Sequence, residues 1–299
     1  MSQPLHRGRS QPAADEYRRG IPQLTRRDFM LEGTALLCCG CATAPITGRR
    51  QFIAMSPEEE RALGLQAYRE VLRKEPITRD PKATAPMRRI VARVAPVAER
   101  AARRSDFQWE VNVIKKDQTI NAFVLPGGKI GVYTGIFPVA QTEAGMAIIL
   151  GHEMGHAIAR HAAERLSQQL GAQLVSTVLA AGLQGSAYGD LIMAAFGLGA
   201  QVGVLLPYSR LQEEEADRIG LVHAAQAGYD PQAAVGVWER MAKVPGPRPP
   251  EFLSTHPEPE GRLENIKQYL PQAMAVFRPH PDPGATPLPA PQEIEGPTR

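Results

Sequence analysis

Cysteine is almost absent. The 299 residues hold three, Cys38, Cys39 and Cys41, and nothing after Cys41 carries a thiol. Downstream of that point a disulfide framework, a cysteine nucleophile, cysteine-ligated zinc and an iron–sulfur cluster are excluded. A strong excess of one charge is missing too, since 34 Lys and Arg stand against 31 Asp and Glu, a net +3. No basic block is dense enough to make nucleic acid a main partner. A phosphate loop is missing, because Gly127-Gly128-Lys129 lacks the GxxxxGK[ST] spacing and reads as a turn. No period of 20–50 residues marks a repeat module. Long apolar runs are also missing. Leu191 to Leu206 is the greasiest segment, but it is only 16 residues long and contains Gln201, Gly197, Gly199 and Gly203. It reads as a buried or cleft-side helix in preference to a membrane span.

What is present suffices for one large or two small domains with a true core, at 43% hydrophobic and 22% charged residues. The ends differ from the middle. Residues 1–27 are polar and Arg-bearing and lead into Arg26-Arg27-Asp28-Phe29-Met30-Leu31, a short apolar stretch and Cys38-Cys39-Gly40-Cys41. This resembles a twin-arginine export signal joined to a lipobox, with Cys41 as the lipidated first residue. Such a leader places the mature protein in the periplasm, lipid-anchored, with the inner leaflet of the outer membrane favoured by Ala42 after the cysteine. Residues 41–55 read as a tether, 56–277 as the folded domain, and 278–299, with seven prolines, as a disordered tail.

Within the domain, Ser56-Pro57-Glu58-Glu59-Glu60 starts a helix that runs to about Lys74. A second helical pattern covers about Pro86 to Arg104, kinked or divided at Pro96. Phe107–Ile114, Thr119–Leu125 and Lys129–Thr134 read as strands, the last two joined by Pro126-Gly127-Gly128. Helices follow at about 142–170, 209–227, 231–241 and 261–270. The class is α+β, mostly helical, with a small hairpin or sheet beside the helix that carries the chemistry.

That helix contains His152-Glu153-Met154-Gly155-His156. Histidines at i and i+4 share one helical face, so both imidazoles reach a single ion, and Glu153 beside them can act as general base on a water. Chance gives HExxH in roughly one such chain in a hundred. A catalytic zinc needs a third ligand and an open position. A metzincin's third His is excluded, because its place is taken by Ala162. His161, about 900° round the helix from His152, falls on the opposite face and reads as a packing or outer-sphere residue. A later helix offers acids instead: Glu213 and Asp217 share a face, one for the metal and one to hold an imidazole from behind, while Glu214 lies within about 60° of Asp217. Spacing alone does not choose between Glu213 and Glu214. His223 reads as a surface or core histidine, and Tyr208, Arg210 and Arg262 are candidates to stabilise an oxyanion.

Five separated pieces now share one resemblance: Cys41-Ala42-Thr43 with Pro45-Ile46-Thr47-Gly48-Arg49, Asn121-Ala122-Phe123 with Pro126-Gly127-Gly128, His152 to His156, Ser209-Arg210 with Glu213 and Glu215-Ala216-Asp217, and Ser254-Thr255-His256-Pro257. In that order they resemble the HtpX-like and BepA/LoiP-like zinc metallopeptidases, peptidase family 48 of the metallo-proteases, in its exported lipoprotein branch. The resemblance implies a zincin-like (gluzincin) fold, one zinc held by His152, His156 and Glu213, general base Glu153, and Asp217 behind a ligand. It implies a strand at Asn121, Ala122 and Phe123 that binds substrate backbone, and a loop histidine, His256, placed to reach the zinc as fourth ligand or gate, with a surface His-Pro turn as the alternative reading. The function implied is a metalloendopeptidase that degrades misfolded or misassembled envelope proteins. The alternatives are a zinc-containing chaperone with little proteolysis and an integral membrane protease that uses Leu191–Leu206.

Overall fold

The computed structural model describes residues 41–169, 209–245, 250–257, 261–282 and 284–297. Helix α1, Pro57–Lys74, begins where the sequence places it. The Ser56 side chain accepts from the Glu59 N–H and the Glu59 carboxylate accepts from the Ser56 N–H, a complete capping box. Helix α2, Pro81–Ala102, starts earlier than expected because Asp80 caps it through the Lys82 N–H. It also runs unbroken through Pro86 and Pro96. Each proline removes one rung of the ladder, and the buried face of Met87, Ile90, Val94 and Ala98 holds the helix together across both.

A four-stranded sheet has the order β3 (Ile77–Thr78), β4 (Glu110–Ile114), β6 (Lys129–Tyr133), β5 (Ala122–Leu125). β4 and β6 run parallel, and the β5–β6 hairpin turns at Pro126-Gly127-Gly128. β5 is an edge of this sheet, and helix α4, Glu143–Ile158, lies against it after the short α3, Phe137–Ala140. All sixteen residues of α4 are buried, as its apolar composition requires. The remaining helices are α5 (Arg210–Gln226), α6 (Ala233–Ala242), α7 (Glu251–Thr255) and α8 (Arg262–Val276). This is the mostly helical α+β, zincin-like arrangement that the sequence implies.

The crossing of α4 and α5 positions everything that follows. A Cβ on Gly220 would lie 2.4 Å from the His152 nitrogen, and one on Gly151 would lie 2.8 Å from the Gly220 oxygen. Two glycines meeting at the crossing let the backbones approach closely enough for side chains on either side to share one ion.

Three expectations are corrected. The helix expected over 142–170 stops at Ile158: Arg160 adopts φ 56°, and a separate helical stretch covers 161–169. Residues 41–55 are no loose tether. β1 (Cys41–Thr43) pairs with β2 (Arg50–Phe52), Ala44 and Ile53 are buried, and Gln51 Nε2 donates to the Ala159 carbonyl at 2.6 Å. The proline-rich end is not disordered either. The Gly284 and Thr286 carbonyls accept from the Ala144 and Glu143 N–H groups at the start of α4, Ile294 is buried, and Glu295 bonds Asp80 and Thr78. Prolines lack a donor of their own, so an extended segment of carbonyls suits a helix N-terminus with unpaired donors. Leu191–Leu206 and the leader lie outside the described residues. Among the described residues no helix is long and apolar enough to cross a membrane.

Candidate metal centre

Helix α4 presents His152 and His156 one turn apart, and their Nε2 atoms approach to 3.1 Å. From α5, Glu213 stands 3.5 Å from His152 and 3.4 Å from His156. Four ligand atoms at about 2.0–2.1 Å from one tetrahedral zinc lie about 3.3 Å from each other, so these spacings fit one ion. The far sides of the rings support the same reading. His152 Nδ1–H donates to Asp217 at 2.8 Å, and His156 Nδ1 faces His161 Nδ1 at 2.9 Å. With protons on both Nδ1 atoms, the two Nε2 lone pairs and a carboxylate converge on one point, an arrangement that needs a cation between them. Glu214 turns away and accepts from the Tyr269 hydroxyl at 2.5 Å, so the geometry separates the two acids that spacing left equivalent.

His256 completes the cluster. It caps α7, a short helix where the sequence suggested only a loop, and its Nδ1 stands 3.0 Å from Glu213 and 3.4 Å from His152. Its ring stacks on Phe252 at 4.5 Å. His152, His156, Glu213 and His256 form the buried group able to hold a metal among the described residues.

Glu153, on the same helix, is buried. Its Oε1 lies 3.3 Å from His256 Nε2, and the Val124 N–H of β5 bonds its carboxylate. Burial raises its pKa above the ordinary glutamate value, against the pull of His256 and His152. Burial would also raise Glu213, but the surrounding imidazoles hold it well below the carboxylate range. Burial would lower His152, yet Asp217 and Glu213 lift it to about 9. His156 is pushed well below the histidine value, first by burial.

Behind Asp217 stands a residue whose role the sequence did not identify. Arg262, 1% exposed, donates to Asp217 at 2.8 Å and lies 3.6 Å over the Trp238 ring. This places it behind the histidines as a support for Asp217. Arg210 is exposed, and Tyr208 lies outside the described residues. Asn121, Ala122 and Phe123 are buried at the start of the edge strand. Phe123 fills the space over Gly131 and packs edge-on to Tyr133 at 6.3 Å. His161 does not lie on the opposite face. The break at Arg160 swings it back onto His156, a contact that a continuous helix could not make.

Mitochondrial metalloendopeptidase OMA1 of Schizosaccharomyces pombe is 39% identical over 231 residues, 77% of this chain and 66% of that protein. The protein of the same name in Saccharomyces cerevisiae is 32% identical over 267 residues, covering 81% of this chain and 75% of its own length. A beta-barrel assembly-enhancing protease of Yersinia pestis is 29% identical over 247 residues, 79% of this chain but 48% of that protein. The yeast relatives are mitochondrial by name, which overturns the expectation of a periplasmic lipoprotein at the outer membrane. The HExxH helix, the acid-bearing α5 and His256 all fall within residues 81–270, the span that matches Peptidase family M48, and the chain belongs to that family.

Proposed function

We propose that the chain is a zinc-dependent endopeptidase acting on unfolded or misassembled polypeptides. The observation that carries this reading is the convergence of His152, His156, Glu213 and His256 on one point with the buried carboxylate of Glu153 beside it. His152, His156 and Glu213 would hold the ion, with His256 Nδ1 at the fourth corner. Zinc, when bound, supplies a Lewis acid that polarises a peptide carbonyl and acidifies a neighbouring water. Glu153 takes the proton of the attacking water and passes it to the leaving amine, and its raised pKa suits a group that must both accept and release. Asp217 holds the His152 ring in the tautomer that leaves Nε2 free. The edge position of β5 supports a substrate that adds as a further strand beside Asn121, Ala122 and Phe123, which selects extended chains over folded ones.

His256 deepens the same reading. If His256 also held the ion, its imidazole would take the place of the attacking water, and the site would be latent until α7 moved. The test is zinc content and cleavage of an unfolded protein for wild type, Glu153→Gln and His256→Ala. Glu153→Gln should keep its metal and lose about 100-fold or more in rate. His256→Ala should keep its metal and cleave at least as fast as wild type. Loss of metal and activity together in His256→Ala would make it an obligatory ligand, and zinc binding without cleavage by wild type would favour a binding protein.

A further inference from the structure

Each zinc-facing histidine has a partner on its far nitrogen, but the two partners differ. His152 meets a carboxylate directly. His156 meets another histidine, and the hydrogen bonds beyond it fix every proton. A His156 that offers Nε2 to the ion carries its proton on Nδ1, and that proton points at His161 Nδ1, 2.9 Å away. His161 must then accept there, so its own proton sits on Nε2 and points at Glu215 Oε2, 3.0 Å away. Only this tautomer of His161 satisfies both contacts.

Glu215 is held in turn by the N-terminal hairpin. Arg49 Nε donates to Glu215 Oε2 at 2.7 Å, and the Thr47 hydroxyl donates to its other oxygen. The rest of the Arg49 guanidinium forms a two-pronged pair with Glu164 at 2.7 and 2.7 Å. Glu164 lies in the 161–169 stretch and Glu215 in α5. One planar cation therefore ties the strand-bearing segment 41–53 to both elements that position His161, which an ammonium could not do.

We propose that Thr47 and Arg49 are positioning residues of the metal centre: they fix Glu215, Glu215 fixes the tautomer of His161, and His161 orients His156 toward the ion. The segment that reads as a tether is then part of the site. This rests on His156 as a ligand.

The test uses the full chain and reads zinc affinity by chelator competition, together with the ring nitrogen NMR signals of His161 in the zinc-loaded protein. Arg49→Ala should weaken zinc about 10-fold or more, the range for partners behind a ligand, and should mix the His161 tautomers. Thr47→Val removes one hydroxyl while keeping the side chain's size, and should weaken zinc by a smaller factor in the same direction. Arg89→Ala breaks a different ion pair, to Glu143 at the far end of α4, and should leave zinc affinity and the His161 signals unchanged. Wild-type zinc affinity in both Arg49→Ala and Thr47→Val would overturn the proposal. An equal loss in Arg89→Ala would also overturn it, because affinity would then merely follow stability. A wild type that binds no zinc would sink the metal centre itself, and the relay with it.

Discussion

At the residue scale the sharpest question is which of two adjacent acids matters. Glu213 faces both imidazoles, while Glu214 accepts from Tyr269. Glu213→Gln should therefore lower zinc affinity by more than the 10–100-fold typical of a partner behind a ligand, and Glu214→Gln should leave it within about twofold. Equilibrium dialysis at fixed pH checks this, and equal losses would refute the ligand assignment. The HExxH pair was legible from spacing alone, but the choice between Glu213 and Glu214 was not, since neighbouring helix positions differ by only about 100°. His223 makes a second case. It is fully buried in α5, neither ring nitrogen has a hydrogen-bond partner among the described residues, and burial lowers its pKa to about 4. The folded state thus prefers the neutral ring, and an unfolded histidine titrates near 6.5. Its contribution is intact above about pH 6.5 and is lost as pH falls toward 4, by roughly 3 kcal/mol in total. His223→Leu should flatten that loss: relative to wild type, its urea midpoint should improve steadily from pH 7 to pH 4.5. A constant offset between the two would rule out this histidine as the source.

Elements bring those residues together, and here the Gly151–Gly220 crossing decides. A methyl on Gly220 would lie 2.4 Å from backbone, where nothing flexible can yield. Gly220→Ala should separate α4 from α5, cost about 2–3 kcal/mol through overpacking, and lower zinc affinity because Glu213 and the histidines lie on opposite sides of the crossing. Gly236 in α6 is the contrast. A Cβ there meets only the end of the Arg240 side chain, so Gly236→Ala should be neutral or stabilise by up to about 1 kcal/mol through helix propensity. Denaturant titration of both variants reads the opposite signs, and two equal losses would show that helix propensity, not the crossing, controls the site. The helices themselves were legible from their caps, as Ser56 and Ser209 show. The end of α4 was not. Arg160 takes a left-handed conformation with no glycine to announce it, held by Glu60 at 2.7 Å and by the Met55 carbonyl at 2.9 Å. Those partners lie 100 and 105 residues away, and a local pattern carries no trace of them. That break is what returns His161 to the site.

On the scale of the whole molecule, composition misled at both ends for one reason: segments rich in proline and glycine lack the periodicity that marks a packed element, yet they can pack through carbonyls and single side chains. The C-terminal segment shows how much depends on such contacts. Its Gly284 and Thr286 carbonyls serve two donors at the N-terminus of α4, Leu288 N–H returns to the Gln141 carbonyl at 2.8 Å, Lys115 reaches the Pro291 carbonyl at 2.6 Å, and Ile294 is 4% exposed. Deleting residues 278–299 removes hydrogen bonds worth about 1 kcal/mol each and one isoleucine worth about 1.5–3 kcal/mol. The loss should reach about 5 kcal/mol or more, which for a domain of this size lowers Tm by about 10–20 °C. The metal should stay bound below the melt, because the segment grips the start of α4 and His152 lies nine residues further along it. Ile294→Ala should reproduce part of the loss without shortening the chain, about 2–4 kcal/mol if the site does not collapse. Thermal melts of the full chain, the truncated chain and Ile294→Ala test the order: wild type highest, the single substitution between, the truncation lowest. A truncated chain that melts with wild type would mean that these carbonyls and Ile294 hold nothing, and that the N-terminus of α4 finds its partners in water.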